Sequence, residues 1–229
     1  MLVKEDAELY HGHRARLRER FIASSFGSLA DYEILELLLF LAKPRGDVKP
    51  IAKKLMAEFG SVQRIFSASE DNLLSIDGVG KSVISSLRLV KEAAARILKE
   101  EIKQTTILQS WSALIDYLKV SMAYIKTEQF RVLFLNKKNM LIADELQEVG
   151  TVDQTPVYPR EIVKRALFHE ATAIILVHNH PSGNPNPSNA DVQMTKKIVA
   201  ALAPIGVSVH DHIIISNRDF YSFKSNMLI

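Results

Sequence analysis

The chain has 229 residues, 47% of them hydrophobic and 24% charged, with a formal net charge of +3 and a mean hydropathy near zero. That composition excludes a disordered or low-complexity chain, and the absence of cysteine excludes disulfides and any thiolate metal site, so a transition-metal site must use His, Asp or Glu. A pI near 9.0 permits nucleic-acid binding without singling it out, and the longest apolar runs, "ILELLLFLA" and "ATAIILV", are too short to span a bilayer.

The opening stretch "MLVKEDAELYHGHRARLRERF" lacks the apolar core and small-residue cleavage site of a secretory signal, so the expectation is a cytoplasmic protein. Residues 6 to 22, with Leu9, Leu17, Phe21 and Ile22 among charged neighbours, read as a helix, as does "DYEILELLLFLA" at 31 to 42, stopped by "KPRGD". "VKPIAKKLMAEFG" and "SVQRIFSAS" read as short helices separated by Gly60 and Ser61, a C-cap and N-cap pair. Next come a short helix, a turn at Gly78-Val79-Gly80 and a long helix rich in Ala, Leu, Glu, Lys and Arg. Residues 1–103 therefore read as an all-α domain.

The pattern changes around the polar stretch "QTTILQS", of which residues 104–109 read as a linker, and 110–229 reads as a second domain large enough for its own core. A helix at about 110 to 124 precedes two paired strands, "FRVLFLN" and "NMLIADELQEV", around a "KKN" turn. "PREIVKRALFHE" places proline at the first helical position, "ATAIILVH" is a strand, and "PSNADVQMTKKIVAALAPIG" is a helix with Ser188 as N-cap. "VSVHDHIIIS" and "RDFYSF" complete the strands. Alternating strands and helices predict an α/β domain with a mixed sheet flanked by helices.

At the end of the strand "ATAIILV" stands "HNHPSGNPNPSNAD". His178 and His180 alternate to one face, and a proline-rich loop leads to Asp191 in the first turn of the next helix, from where its carboxylate can swing back. Two neutral imidazoles and one carboxylate make a +1 Zn²⁺ site with a fourth position open for water, the arrangement of a catalytic zinc. A single strand-end histidine is ordinarily a satisfied polar residue, but the joint spacing favours metal. His210 and His212 form a second His-x-His, read mainly as structural, with a hydrogen bond into the ligand shell as the alternative. His11 and His13 are expected in solvent.

"HNHPSGNPNPSNAD" resembles the JAMM (JAB, MPN+) metal-binding motif, and "HNHPSG", "PREIVKRALFHEATAIILVHNHPSG" and "DHIIIS" are similar to the RadC family pattern. Since that family places a helix-hairpin-helix region before the JAMM domain, the resemblance covers nearly the whole chain and implies a cytidine-deaminase-like α/β fold for its second part. It implies one zinc ion held by His178, His180 and Asp191, with Ser188 assisting an oxyanion. It also implies an upstream glutamate as general base, for which Glu128 in "TEQFRVLFLN" is the best candidate, ahead of Glu145, Glu148, Glu161 and Glu170. Ser188 remains open between helix cap and catalytic group.

"LLSIDGVGKSVISSL" resembles a helix-hairpin-helix motif, in which Gly78, Gly80 and Lys81 would meet a DNA phosphate; a tight interhelical packing turn is the alternative. Arg14, Arg16, Arg18 and Arg20 could add phosphate contacts, but they are spread around their helix, and the first 103 residues carry 17 basic against 15 acidic side chains. Two functions of different class follow: a zinc hydrolase acting on an amide or isopeptide bond of a protein or peptide substrate, or a DNA-binding protein of repair or recombination with the JAMM fold as scaffold. A metal-dependent nuclease is disfavoured because a mononuclear site lacks the second ion common in phosphodiester chemistry.

Overall fold

A computed structural model describes residues 2–25, 27–107, 109–149 and 157–229, with the backbone alone for 2–11, 148 and 149. The side chains of Leu9, His11 and Glu148 are not among those described. The chain forms two compact units, Met1–Ala93 and Ala94–Ile229. Among the described residues no helix is long and apolar enough to cross a membrane.

The first unit is helical: α1 (Leu2–Ala23), α2 (Asp31–Ala42), α3 (Lys49–Phe59), α4 (Val62–Ser67), α5 (Glu70–Leu74) and the first turns of α6 (Lys81–Gln104). Its core gathers one stripe from each helix, with Leu35 and Leu39 one turn apart on α2 meeting Leu55, Ile65, Leu73 and Leu87. The predicted cap pair is present: Gly60 ends α3 in the left-handed region, and Ser61 Oγ accepts from Arg64 N at 3.3 Å. Three arginines of α1 bond or stack back onto the unit. Arg14 donates to the carbonyls of Lys43, Pro44 and Gly46, Arg14 and Arg18 lie over the Phe40 ring, and Arg20 pairs with Glu33. His13, expected in solvent, is instead 2.7 Å from Oε2 of fully buried Glu36. A nearby carboxylate needing a partner outweighed hydration of the ring.

The second unit contains the last turns of α6 with buried Ile102, then α7 (Trp111–Met122), β1 (Gln129–Leu135), β2 (Leu141–Val149), α8 (Pro159–Phe168), β3 (Ala173–Asn179), α9 (Asn189–Leu202), β4 (Ser208–Ile215) and β5 (Phe220–Ser222). Ile107, in the stretch read as a linker, is buried in this core. The sheet runs β2-β1-β3-β4-β5; β3 and β4 are parallel, joined by α9 as a crossover, and the other neighbours are antiparallel.

Alternation along the strands serves two cores. Leu133, Leu135, Ile175, Val177, Ile213 and Ile215 pack with α7, whereas Phe130, Val132, Phe134, Ile174 and Leu176 pack with α8 and α9. Every residue of β3 is buried, which is why it reads as an unbroken apolar run. That run ends at His178 and Asn179, at the carboxyl end of a parallel strand, where open α/β sheets place their ligand crevices.

Candidate metal centre

The three predicted ligands converge. His178 is the penultimate residue of β3, and His180, just past its end, donates its amide to Ile215 O of β4 at 2.8 Å. The loop then turns through Gly183 at φ +84, a left-handed conformation in which any side chain would be strained, and an added Cβ would lie 2.8 Å from Asn217 Oδ1. Ser188 caps α9: its Oγ accepts from Asp191 N at 3.2 Å and donates to Asp191 Oδ2 at 2.7 Å, while its amide donates to the same Oδ2 at 2.7 Å. This cap leaves Oδ1 aimed at the strand end, 3.4 Å from His178 Nε2, with Oδ2 3.6 Å from His180 Nε2. One ligand atom from each of the three residues lies within 4.8 Å of the others.

The electrostatics suit a cation. His180 Nδ1 faces the Asn184 carbonyl at 2.8 Å, and a carbonyl only accepts, so Nδ1 carries a proton and the neutral form of the ring has its lone pair on Nε2. That atom lies 2.9 Å from His178 Nε2. Burial pushes His178 down to about 4, against the pull of Asp191, so its ring is neutral near pH 7. For His180 burial also disfavours the charge, but Asp191, the Asn184 carbonyl and Glu128 outweigh it and raise its pKa. Burial works to raise Asp191, yet His180, the nearby His178 ring and the bonds from Ser188 hold it well below the usual carboxylate range. Two imidazole nitrogens and an ionised carboxylate turned to one point are the donor set of a divalent transition metal, and these residues fit one.

Glu128 directly precedes β1. Phe130 pairs with His178 in the antiparallel β1/β3 ladder, and continuing that register by two residues sets Glu128 opposite His180, in keeping with its effect on that ring. The segment is held by Asn179, which sequence reasoning passed over: buried, it donates to the carbonyls of Ile125 and Thr127, each at 3.1 Å, and accepts from Gln129 N at 2.8 Å. The other candidates whose side chains are described have other surroundings. Glu145 is gripped by Arg165 and His169, Glu161 pairs with Arg160 at 3.3 Å, and Glu170 follows α8 with φ 50.

His212 is the second residue that was underrated. Its Nε2 is 2.8 Å from His178 Nδ1, whereas His210 turns to Asn139 Oδ1 at 2.7 Å. The available signal was the repeated His-x-His on the strand that follows the crossover. In the first unit, Gly78 takes φ +89 where a Cβ would meet Ile51 at 2.8 Å, its carbonyl accepts from Lys43 Nζ at 3.0 Å, and Lys81 begins α6 after Gly80.

A mixed sheet flanked by helices, with two histidines at a strand end and an aspartate on the crossover helix, defines a JAB-type α/β domain with a candidate metal centre. The profile of the RadC family, described as a RadC-like JAB domain, matches residues 108–228. The match spans more than half of the chain, which belongs to that family.

Proposed function

We propose that the second unit is a zinc-dependent hydrolase of the JAMM type that cleaves an amide or isopeptide bond in a protein or peptide. The reading is carried by one observation: His178 Nε2, His180 Nε2 and an Asp191 oxygen converge, with the His180 Nδ1 proton committed to a main-chain carbonyl. When bound, zinc supplies polarisation of the scissile carbonyl and a lowered pKa for water. Glu128 takes the proton of the attacking water and returns it to the leaving amine. Asn179 holds the backbone that carries Glu128, and Ser188 turns its hydroxyl from Asp191 to the developing oxyanion. Purified protein is expected to hold about one zinc per chain by metal analysis. Glu128→Gln should keep that zinc and lose hydrolysis of peptide and isopeptide substrates. Zinc-free protein after growth with zinc supplied would count decisively against the proposal.

A second reading concerns the first unit. A cleft beside the Gly78–Gly80 turn is lined by Lys43, Arg45, Gly80 and Ser82, which would suit a DNA phosphate. It predicts salt-dependent DNA binding that weakens in Gly80→Pro and Lys81→Glu, and no binding at low salt would end it.

A further inference from the structure

His212 stands behind the candidate centre on β4, fully buried, and the donor set described above makes no use of it. Its Nε2 is 2.8 Å from His178 Nδ1, and its Nδ1 is 2.6 Å from Thr195 Oγ1. Thr195, one turn along α9 from Asp191, has that same hydroxyl 2.6 Å from the Asp191 main-chain carbonyl. An unbroken line of hydrogen bonds thus runs from the backbone of one candidate ligand to the ring of another.

The line has a direction. A carbonyl oxygen only accepts, and two oxygens 2.6 Å apart need a proton between them. The single hydroxyl proton of Thr195 therefore goes to Asp191 O, and Thr195 Oγ1 accepts from His212 Nδ1–H. His212 Nε2 then holds a lone pair and accepts from His178 Nδ1–H. A neutral His178 ring is then left with no proton on Nε2, the atom that faces His180 and Asp191, and any proton in the 2.9 Å contact between the two Nε2 atoms belongs to His180. The reverse direction would press two unprotonated oxygens together and put a proton on the coordinating nitrogen. The rings are also walled in: His212 stacks on Phe223 at 4.5 Å between centroids, and His178 lies parallel to Phe130.

We propose that Thr195 and His212 form a positioning relay that locks His178 as the Nδ1–H tautomer and so keeps Nε2 open to a cation. Asp191 has two parts in it, offering a carboxylate oxygen and, through its main-chain carbonyl, setting the direction of the relay. The inference rests on the reading of His178, His180 and Asp191 as metal ligands. Outer partners of ligating histidines commonly act through a carboxylate, carbonyl or water, and their loss costs roughly 10–100-fold in metal affinity. Here a second histidine takes that place.

The test uses the full chain in two states. In metal-free protein labelled with ¹⁵N-histidine, long-range ¹H–¹⁵N spectra should show His178 and His212 both protonated at Nδ1; a proton on His178 Nε2 would overturn the proposal. In chelator-competition titrations with zinc, His212→Leu should bind roughly 10–100-fold more weakly than wild type, Thr195→Val less so. His212→Gln, whose amide oxygen can accept from His178 Nδ1, should recover most of the loss. Wild-type affinity in folded His212→Leu overturns the relay. Should that variant fail to fold, Thr195→Val, which removes one hydroxyl at nearly constant volume, decides: unchanged tautomers and affinity sink the idea. If wild type takes up no zinc, the ligand reading fails, and the tautomer measurement, made without metal, separates that failure from failure of the relay.

Discussion

Two clusters in the second unit are built from the same kinds of group and end differently. On β2 and α8, Glu145 receives Arg165 Nε at 2.7 Å and a second bond from the same guanidinium, while His169 Nε2 lies 2.7 Å away. The Arg165 bond is the main reason that Glu145 is held at about 2, with burial opposing and His169 adding to the effect. On β3 and α9, Asp191 faces two imidazoles at 3.4 and 3.6 Å, and their nitrogens face each other at 2.9 Å. The first cluster is closed by a guanidinium with short, paired bonds. The second points electron pairs at a common place, and the charge that Arg165 supplies in the first is what a divalent ion would supply in the second. A perturbed carboxylate therefore does not by itself mark a site; the direction of the remaining lone pairs does.

The sharpest break between the clusters comes from metal. Asp191→Ala should lower zinc affinity by about 100-fold or more, at least the upper range for losing an outer partner, and should abolish the rise in Tm that zinc gives wild type. Glu145→Gln should keep that rise; if both variants respond alike to zinc, the distinction is void. Next in size, Asn179→Ala leaves two carbonyls and the Gln129 amide without their partner, which should cost about 2–4 kcal/mol in denaturant unfolding and speed amide exchange at Gln129. Unchanged exchange there would mean that Asn179 does not hold the Glu128 segment.

The closed cluster predicts a pH signature. Glu145 has a folded pKa below its ordinary 4.5, so its contribution is complete above 4.5 and is lost as pH falls toward about 2. Partial exposure keeps it modest: Glu145→Gln should cost about 1 kcal/mol at pH 7, and the difference from wild type should shrink across that acidic window in melts. A difference independent of pH would point to packing instead of charge. Smallest, Ser188→Ala should cost about 1 kcal/mol through the lost cap, with a several-fold drop in zinc affinity because Oδ2 of Asp191 loses a donor.

Much of this architecture was legible because its signals are local. The cap pair at Gly60 and Ser61, the proline opening α8, the paired strands around the 136–140 turn and Ser188 at the start of α9 all depend on residues within a few positions of each other. The same holds for the His-x-His that alternation sends to one face. Glu145 against Glu128 was a harder choice, since neither its neighbours nor its composition reveals that Arg165, on another element, closes over it.

The sequence by itself determined the two-part organisation, the mixed sheet and the three residues that converge at the end of β3, since period, capping and loop chemistry act over short spans of chain. Only the tertiary structure decided that Asn179 grips the backbone before β1, that Glu145 is spent on Arg165, and that His212 stands behind His178 while His210 turns away. Those assignments depend on which strands lie side by side and in what register, and a hydrogen bond from a side chain to a distant carbonyl leaves no periodic trace in the residues that make it.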